Sequence, residues 1–207
     1  MAEKEFVGCR GLIVTPEMKL AVAAQACLLV SNRPTRPYER LYSVLLYPDA
    51  FIVPQEETDE AGVVTQHESV LTGEAWETHR IILSWEDIQA SAQEPGSGYN
   101  VVLHEFAHYL DAEDGDANGA PPLGDAQRYE RWSRVMSDEY EKLRAAAENG
   151  AETLIDPYGA EDPAEFFAVA TESFFEQPRE LKQRHAALYI ELMNYYRLDP
   201  ASWQKPE

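Results

Sequence analysis

The run His104-Glu105-Phe106-Ala107-His108 constrains this chain more than any other feature, because histidines four apart share a face only when the segment is helical. That spacing presents two imidazoles to one ion. The glutamate after the first histidine leans over the same point, where it can take a proton from a bound water. One short helix thereby offers two zinc ligands and a general base. With five histidines in 207 residues, such a run arises by chance in on the order of one chain in a hundred. Its setting argues against chance. Tyr99-Asn100-Val101-Val102-Leu103 leads in from a Pro95-Gly96-Ser97-Gly98 turn, and Phe106, Ala107 and Leu110 carry the apolar pattern on, so the segment predicts a buried helix. A pair of hydrogen-bonded core histidines leaves Glu105 unexplained.

A catalytic zinc takes three protein ligands and keeps an open position for water. Asp114 stands six residues after His108, but a fold-back to it needs a glycine at 111, where Asp111 is found. Glu165 is the better candidate. It lies in Asp162-Pro163-Ala164-Glu165, which equally has the form of a helix start, with Asp162 as N-cap, Pro163 at the first helical position and Glu165 closing a capping box. Residue chemistry leaves ligand and cap open. Glu172, seven residues on and on the same helical face, is a second choice, either as ligand or as a hydrogen-bonding support for a histidine.

The residues resemble those of the Mlc titration factor A family of bacterial zinc metallopeptidases over almost the whole chain. The matching runs are Ala23-Ala24-Gln25-Ala26-Cys27, Leu71-Thr72-Gly73-Glu74-Ala75-Trp76, Tyr99 through His108 with Leu110-Asp111, and Asp156 through Phe167. The resemblance implies that the third zinc ligand is Glu165. It is wider than one family: in similar peptidases of the HExxH-plus-Glu type, including the lethal factor kind, a tyrosine seven residues before the ligand glutamate assists at the reacting carbonyl. Tyr158 occupies that place. The family further implies aminopeptidase-like cleavage of small peptides and, in enterobacteria, sequestration of the glucose-responsive repressor Mlc.

Composition limits the remaining function classes. Against 37 acidic residues stand 17 basic ones, a net charge of −20, so direct nucleic-acid binding is not expected for want of cations to meet phosphate, and any link to DNA would run through another protein. The charge reads as a solubilising surface. The longest apolar stretch, Leu20 to Val30, is too short to span a membrane, and Met1-Ala2-Glu3-Lys4-Glu5 is wrong for a secretory signal, so a cytoplasmic protein is expected. Cys9 and Cys27 fit buried free thiols in a reducing compartment.

Neither repeat nor long linker divides the chain, and a single domain over residues 1–207 is expected. Thr15-Pro16 opens an apolar helix to about Ser31. Leu41 to Tyr47, Phe51 to Val53, Val63 to Val70 and Arg80 to Leu83 read as strands, with Gln55 to Gly62 as a hairpin loop. Ser84-Trp85-Glu86-Asp87 is a capped helix start. Helices follow the metal motif at Asp125 to Asn149, Asp162 to Glu176 and Arg179 to Tyr196. Phe166, Phe167, Phe174 and Phe175 read as core. Strands followed by helices without alternation predict an α+β fold, a small mixed sheet packed against a mainly helical, zincin-like peptidase core. An edge strand of that sheet could align an extended peptide, with Gly73-Glu74-Ala75-Trp76 nearby. Asp114-Gly115-Asp116-Ala117-Asn118-Gly119 with Asp125 has the oxygen spacing of a calcium loop, but aspartate stands where a bidentate glutamate is usual and Pro121-Pro122 interrupts it; a solvated acidic loop is the simpler reading.

These elements converge on one expectation: a cytosolic zinc peptidase with one zinc per chain on His104, His108 and Glu165, Glu105 as the base and Tyr158 at the oxyanion. The competing class is a protein-binding factor with a structural zinc that titrates a transcription regulator. An intact Glu105 speaks against it, since a structural site needs no base.

Overall fold

The computed structural model describes residues 1–33, 38–49, 52–58, 64–70 and 79–203, with residues 52–58 and 64–70 described through their backbone. Three strands, β1 (Glu5–Gly8), β2 (Ser43–Tyr47) and β5 (Arg80–Ser84), form a sheet in the order β1-β2-β5, with both pairings parallel. A separate antiparallel hairpin joins β3 (Ile52–Thr58) to β4 (Val64–Val70) within the β2–β5 connection. The chain is therefore mixed α and β as expected, but its sheet is not mixed. Two features make the difference: β1 precedes helix α1 (Pro16–Val30), whose crossover returns the chain parallel to itself, and the antiparallel β3–β4 pair stands outside the sheet, leaving β5 to join β2 in parallel. Four residues carry too little pattern to reveal β1. The hairpin also consumes part of the expected loop, since β3 runs through Gln55 to Thr58.

One face of the sheet is apolar. Val44 lies beside Ile81 and Leu46 beside Leu83, all four buried, and α1 and α3 (Val101–Asp111) pack nearby. On α1, Met18, Val22, Ala26 and Leu29 recur at three-to-four spacing and are buried, whereas Leu20 points outward. Cys9 is partly buried and Cys27 exposed; both are free, so the thiols expected in the interior lie at its margin or outside it.

Beyond the short α2 (Trp85–Gln93), the fold is helical. The helix α4 (Ala126–Glu148) begins on Asp125, whose side chain accepts from the Arg128 amide, and ends on Asn149, as the sequence predicts. Helix α5 (Pro163–Glu176) starts on Asp162, and its Ala164 to Phe174 stretch is buried throughout. The single helix expected over Arg179 to Tyr196 is two, α6 (Pro178–Arg184) and α7 (Ala186–Tyr196). His185 leaves helical geometry at φ −132° and ψ 52°. Its Nδ1 lies 2.6 Å from Glu139 of α4, a contact a straight helix would not need and that no glycine or proline announces. Phe166, Phe167 and Phe174 are in the core, where Trp132 meets Phe167 edge-on, and Phe175 packs against it. No described helix is long and apolar enough to cross a membrane.

Candidate metal centre

Helix α3 carries His104, Glu105 and His108 from an N-cap on Asn100, whose side-chain oxygen accepts from the Leu103 amide at 3.2 Å. Residues 102–111 are all buried. The crossing helix α5 brings in Glu165 from one turn inside its own start. The Nε2 atoms of His104 and His108 stand 3.1 Å apart, and Glu165 Oε2 lies 3.1 Å from the first and 3.3 Å from the second. Donor atoms about 2.0–2.1 Å from a tetrahedral ion stand about 3.3 Å from one another. The three atoms therefore form one face of such a tetrahedron, and two imidazoles with a carboxylate are a donor set suited to zinc. Among the described residues this is the group of His, Cys, Asp and Glu side chains able to hold a metal ion.

In three dimensions the helix cap and the carboxylate facing the histidines are different residues. Asp162 caps α5 alone, its Oδ1 accepting from Ala164 at 2.8 Å and from Glu165 at 2.9 Å, and the Glu165 carboxylate faces the histidines. Glu172 is not in the triangle. It accepts from His104 Nδ1 at 2.8 Å, so that in the neutral ring the lone pair falls on Nε2, facing the group, and it also accepts from the Asn100 amide. Glu176 extends this seam, receiving the Asn100 side-chain amide and the Gly96 amide, each at 2.9 Å. The Asn100 and Glu176 contacts were missed in the sequence, although 165, 172 and 176 follow one another at helical spacing on α5.

Charge in the metal-free protein is arranged around one proton. Burial opposes the charged form of His104, but bonds to Glu165 and Glu172 outweigh it and raise the ring to about 10. Burial would lift Glu165 too, yet the two imidazoles bring it down to about 2. His108 is lowered, first by burial and also by the neighbouring His104, despite its contact with Glu165. The first imidazole holds the proton because it alone touches two carboxylates. Burial raises Glu172, its bond to His104 notwithstanding. Glu105 is raised to about 8, first by burial, with His104 pulling down and Glu165 and Glu172 pushing up. A dication among the donors reverses the sign of that local field and draws Glu105 back toward its ionised form.

Tyr158 sits in a 3₁₀ turn, Pro157–Ala160, that Asp156 caps by accepting from the Tyr158 amide at 2.9 Å. Its ring centroid lies 6.1 Å from that of His104, and the side chain is partly open to solvent. Asp114 is exposed in the 3₁₀ turn Ala112–Asp114 and does not join the group. The calcium reading of the 114–125 loop gains nothing, because Asp125 is engaged as the cap of α4. Gly73-Glu74-Ala75-Trp76 falls outside the described residues.

Comparison with known proteins agrees with this geometry. The chain is 44% identical over 201 residues to an uncharacterized protein of Synechocystis sp., covering 97% of this chain and 73% of that one. It is 36% identical over 204 residues to Mlc titration factor A of Yersinia pestis and likewise of Yersinia pseudotuberculosis, covering 97% of this chain and 74% of each. Residues 1–197 match the glucose-regulated metallo-peptidase M90 family, and to that family this chain belongs.

Proposed function

We propose that this protein is a cytoplasmic zinc-dependent peptidase, aminopeptidase-like in its action on small peptides, with one zinc per chain on His104, His108 and Glu165. The observation that carries the reading is the buried triangle of donor atoms with Glu105 one residue from the first of them. When bound, the ion supplies Lewis acidity and brings the pKa of water near neutrality. The chain's own groups do the rest. Glu105 accepts the proton of the attacking water and returns it to the leaving amine, so one carboxyl serves as base and then as acid. The Tyr158 hydroxyl donates to the oxygen that gains charge as the carbonyl is attacked. Glu172 fixes the His104 tautomer, and the apolar body of α3 keeps bulk water from the back of the site.

Turnover of a panel of free-amine and amino-blocked peptides, with and without chelator, tests the reading. Cleavage of the free-amine set that chelator stops and zinc restores supports it; absence of hydrolysis across the panel by zinc-loaded protein refutes it. A second reading rests on the name of the Yersinia relatives, Mlc titration factor A: this chain binds and titrates a transcription regulator. Repressor binding unchanged in Glu105→Gln, together with absent turnover in the parent, would favour it.

A further inference from the structure

The donor triangle needs α3 and α5 fixed to within a few tenths of an ångström, and Glu172 ties only one side of their crossing. The other side converges on a single glycine. Asp111, the last residue of α3, is fully buried, and its Oδ2 accepts from the Gly119 amide at 2.7 Å. The Gly119 carbonyl accepts from Trp132 Nε1 of α4 at 2.8 Å. Gly119 has a φ of +76°, and a Cβ placed on it would lie 2.3 Å from the carbonyl oxygen of Pro163, the first residue of α5. So the end of the histidine helix, the face of α4 and the start of the glutamate helix all close on residue 119, and the α5 residue it meets, Pro163, stands two positions before Glu165. The other carboxylate oxygen of Asp111 is buried with no hydrogen-bond partner among the described residues. Burying a carboxyl costs stability unless its partners offset it, and the backbone amides that face Asp111 come from the 118–120 segment, so the group ties that segment to the end of α3.

We infer that Asp111 and Gly119 form a positioning clamp that sets the distance between the Glu165 carboxylate on α5 and the two imidazoles on α3. Neither residue touches the donor atoms. Asp111 acts through the 112–119 connection, and Gly119 acts by letting that connection lie flat on Pro163. Any side chain at 119 must push the first turn of α5 outward and carry Glu165 with it. The inference rests on the metal reading of the site.

The test uses the full chain, with zinc affinity measured by competition against a chromophoric chelator and coordination geometry read from the visible absorption of the cobalt(II) form. Asp111→Ala and Gly119→Ala are expected to weaken zinc roughly 10- to 100-fold and to change the cobalt band. Asp111→Asn, whose amide oxygen can still accept from Gly119, is expected to restore both. Leu192→Ala, a fully buried core change on α7, is expected to lower thermal stability and leave affinity and spectrum alone. If Gly119→Ala does not fold, the Asp111→Ala and Asp111→Asn pair decides. Parental affinity and spectrum in Asp111→Ala overturn the clamp while the metal site stands, as does an equal loss in Leu192→Ala. A parent that takes up no zinc brings down the metal reading and the clamp together.

Discussion

His104 donates through Nδ1 to Glu172 at 2.8 Å, and that bond decides which nitrogen of the ring is left to bind an ion. The two residues are on different helices, 68 positions apart, so tautomer and helix crossing are set by one contact. Glu172→Ala is expected to lower zinc affinity roughly 10- to 100-fold. Glu172→Gln keeps an acceptor for the ring and should lose much less. Calorimetric titration of zinc into the metal-free variants checks this, and an alanine variant that binds like the parent removes Glu172 from the design of the site.

Glu105 has no place in the donor triangle, and the proposed function gives it the part of proton carrier. Glu105→Gln keeps the shape of a buried side chain while losing the ability to accept the proton. It should retain a full equivalent of zinc and lose about 10²- to 10⁴-fold in turnover. Elemental analysis beside single-turnover kinetics separates the two effects. Parental turnover in this variant would end the assignment.

What could be read from the sequence was whatever repeats locally. The bounds of α4 follow from Asp125, the three-to-four spacing of its apolar residues and Asn149, all within the helix or next to it. The metal helix follows from its motif and its apolar run. What could not be read depended on partners far along the chain. The parallel sheet joins β2 to β5 across a long connection and adds β1, four residues recognisable only by the strand they pair with. The break at His185 coincides with its contact to Glu139 of α4, far along the chain. Asp162-Pro163-Ala164-Glu165 satisfies the descriptions of cap and ligand locally; that the Glu165 carboxylate faces His104 and His108 depends on residues some 60 positions earlier.

The electrostatics of the metal-free site predict an unusual pH profile. Asp111 is raised from 3.8 to about 7, chiefly by burial, Glu105 from 4.5 to about 8 and His104 from 6.5 to about 10. Each binds its proton more tightly folded than unfolded, so each contributes stability below its ordinary value that is lost as pH rises through the folded one. Glu165, lowered from 4.5 to about 2, works the other way, and its share is lost as pH falls through that range. Metal-free protein should therefore be most stable at about pH 4–5 and weaken toward pH 9. Ligating histidines must be neutral, so the rise in melting temperature on adding zinc should grow as pH increases. Glu105→Gln carries no charge at any pH and should flatten the metal-free profile between 4.5 and 8. Thermal melts across this range check all three statements; a metal-free melting temperature that climbs steadily from pH 5 to 9 contradicts the first.

Glu165 and Asp162 are neighbours on one helix start with opposite assignments, and substitution tells them apart. Asp162 receives two amides at 2.8 and 2.9 Å, a cap whose loss costs about 1 kcal/mol. Asp162→Ala should lower thermal stability by that amount and leave zinc affinity near the parental value. Glu165→Ala removes one of three donors, so its loss in affinity should exceed the roughly 100-fold upper end typical of residues that merely support a ligand. The metal-free fold should survive that change, because Phe166, Phe167 and Phe174 on the same helix are buried and independent of the carboxylate. Chelator competition and metal-free melts on both variants give the comparison. A Glu165→Ala protein that holds zinc as tightly as the parent, with Asp162→Ala the one that releases it, would exchange the two roles, and the part drawn for Tyr158 from its place seven residues before Glu165 would fall with them.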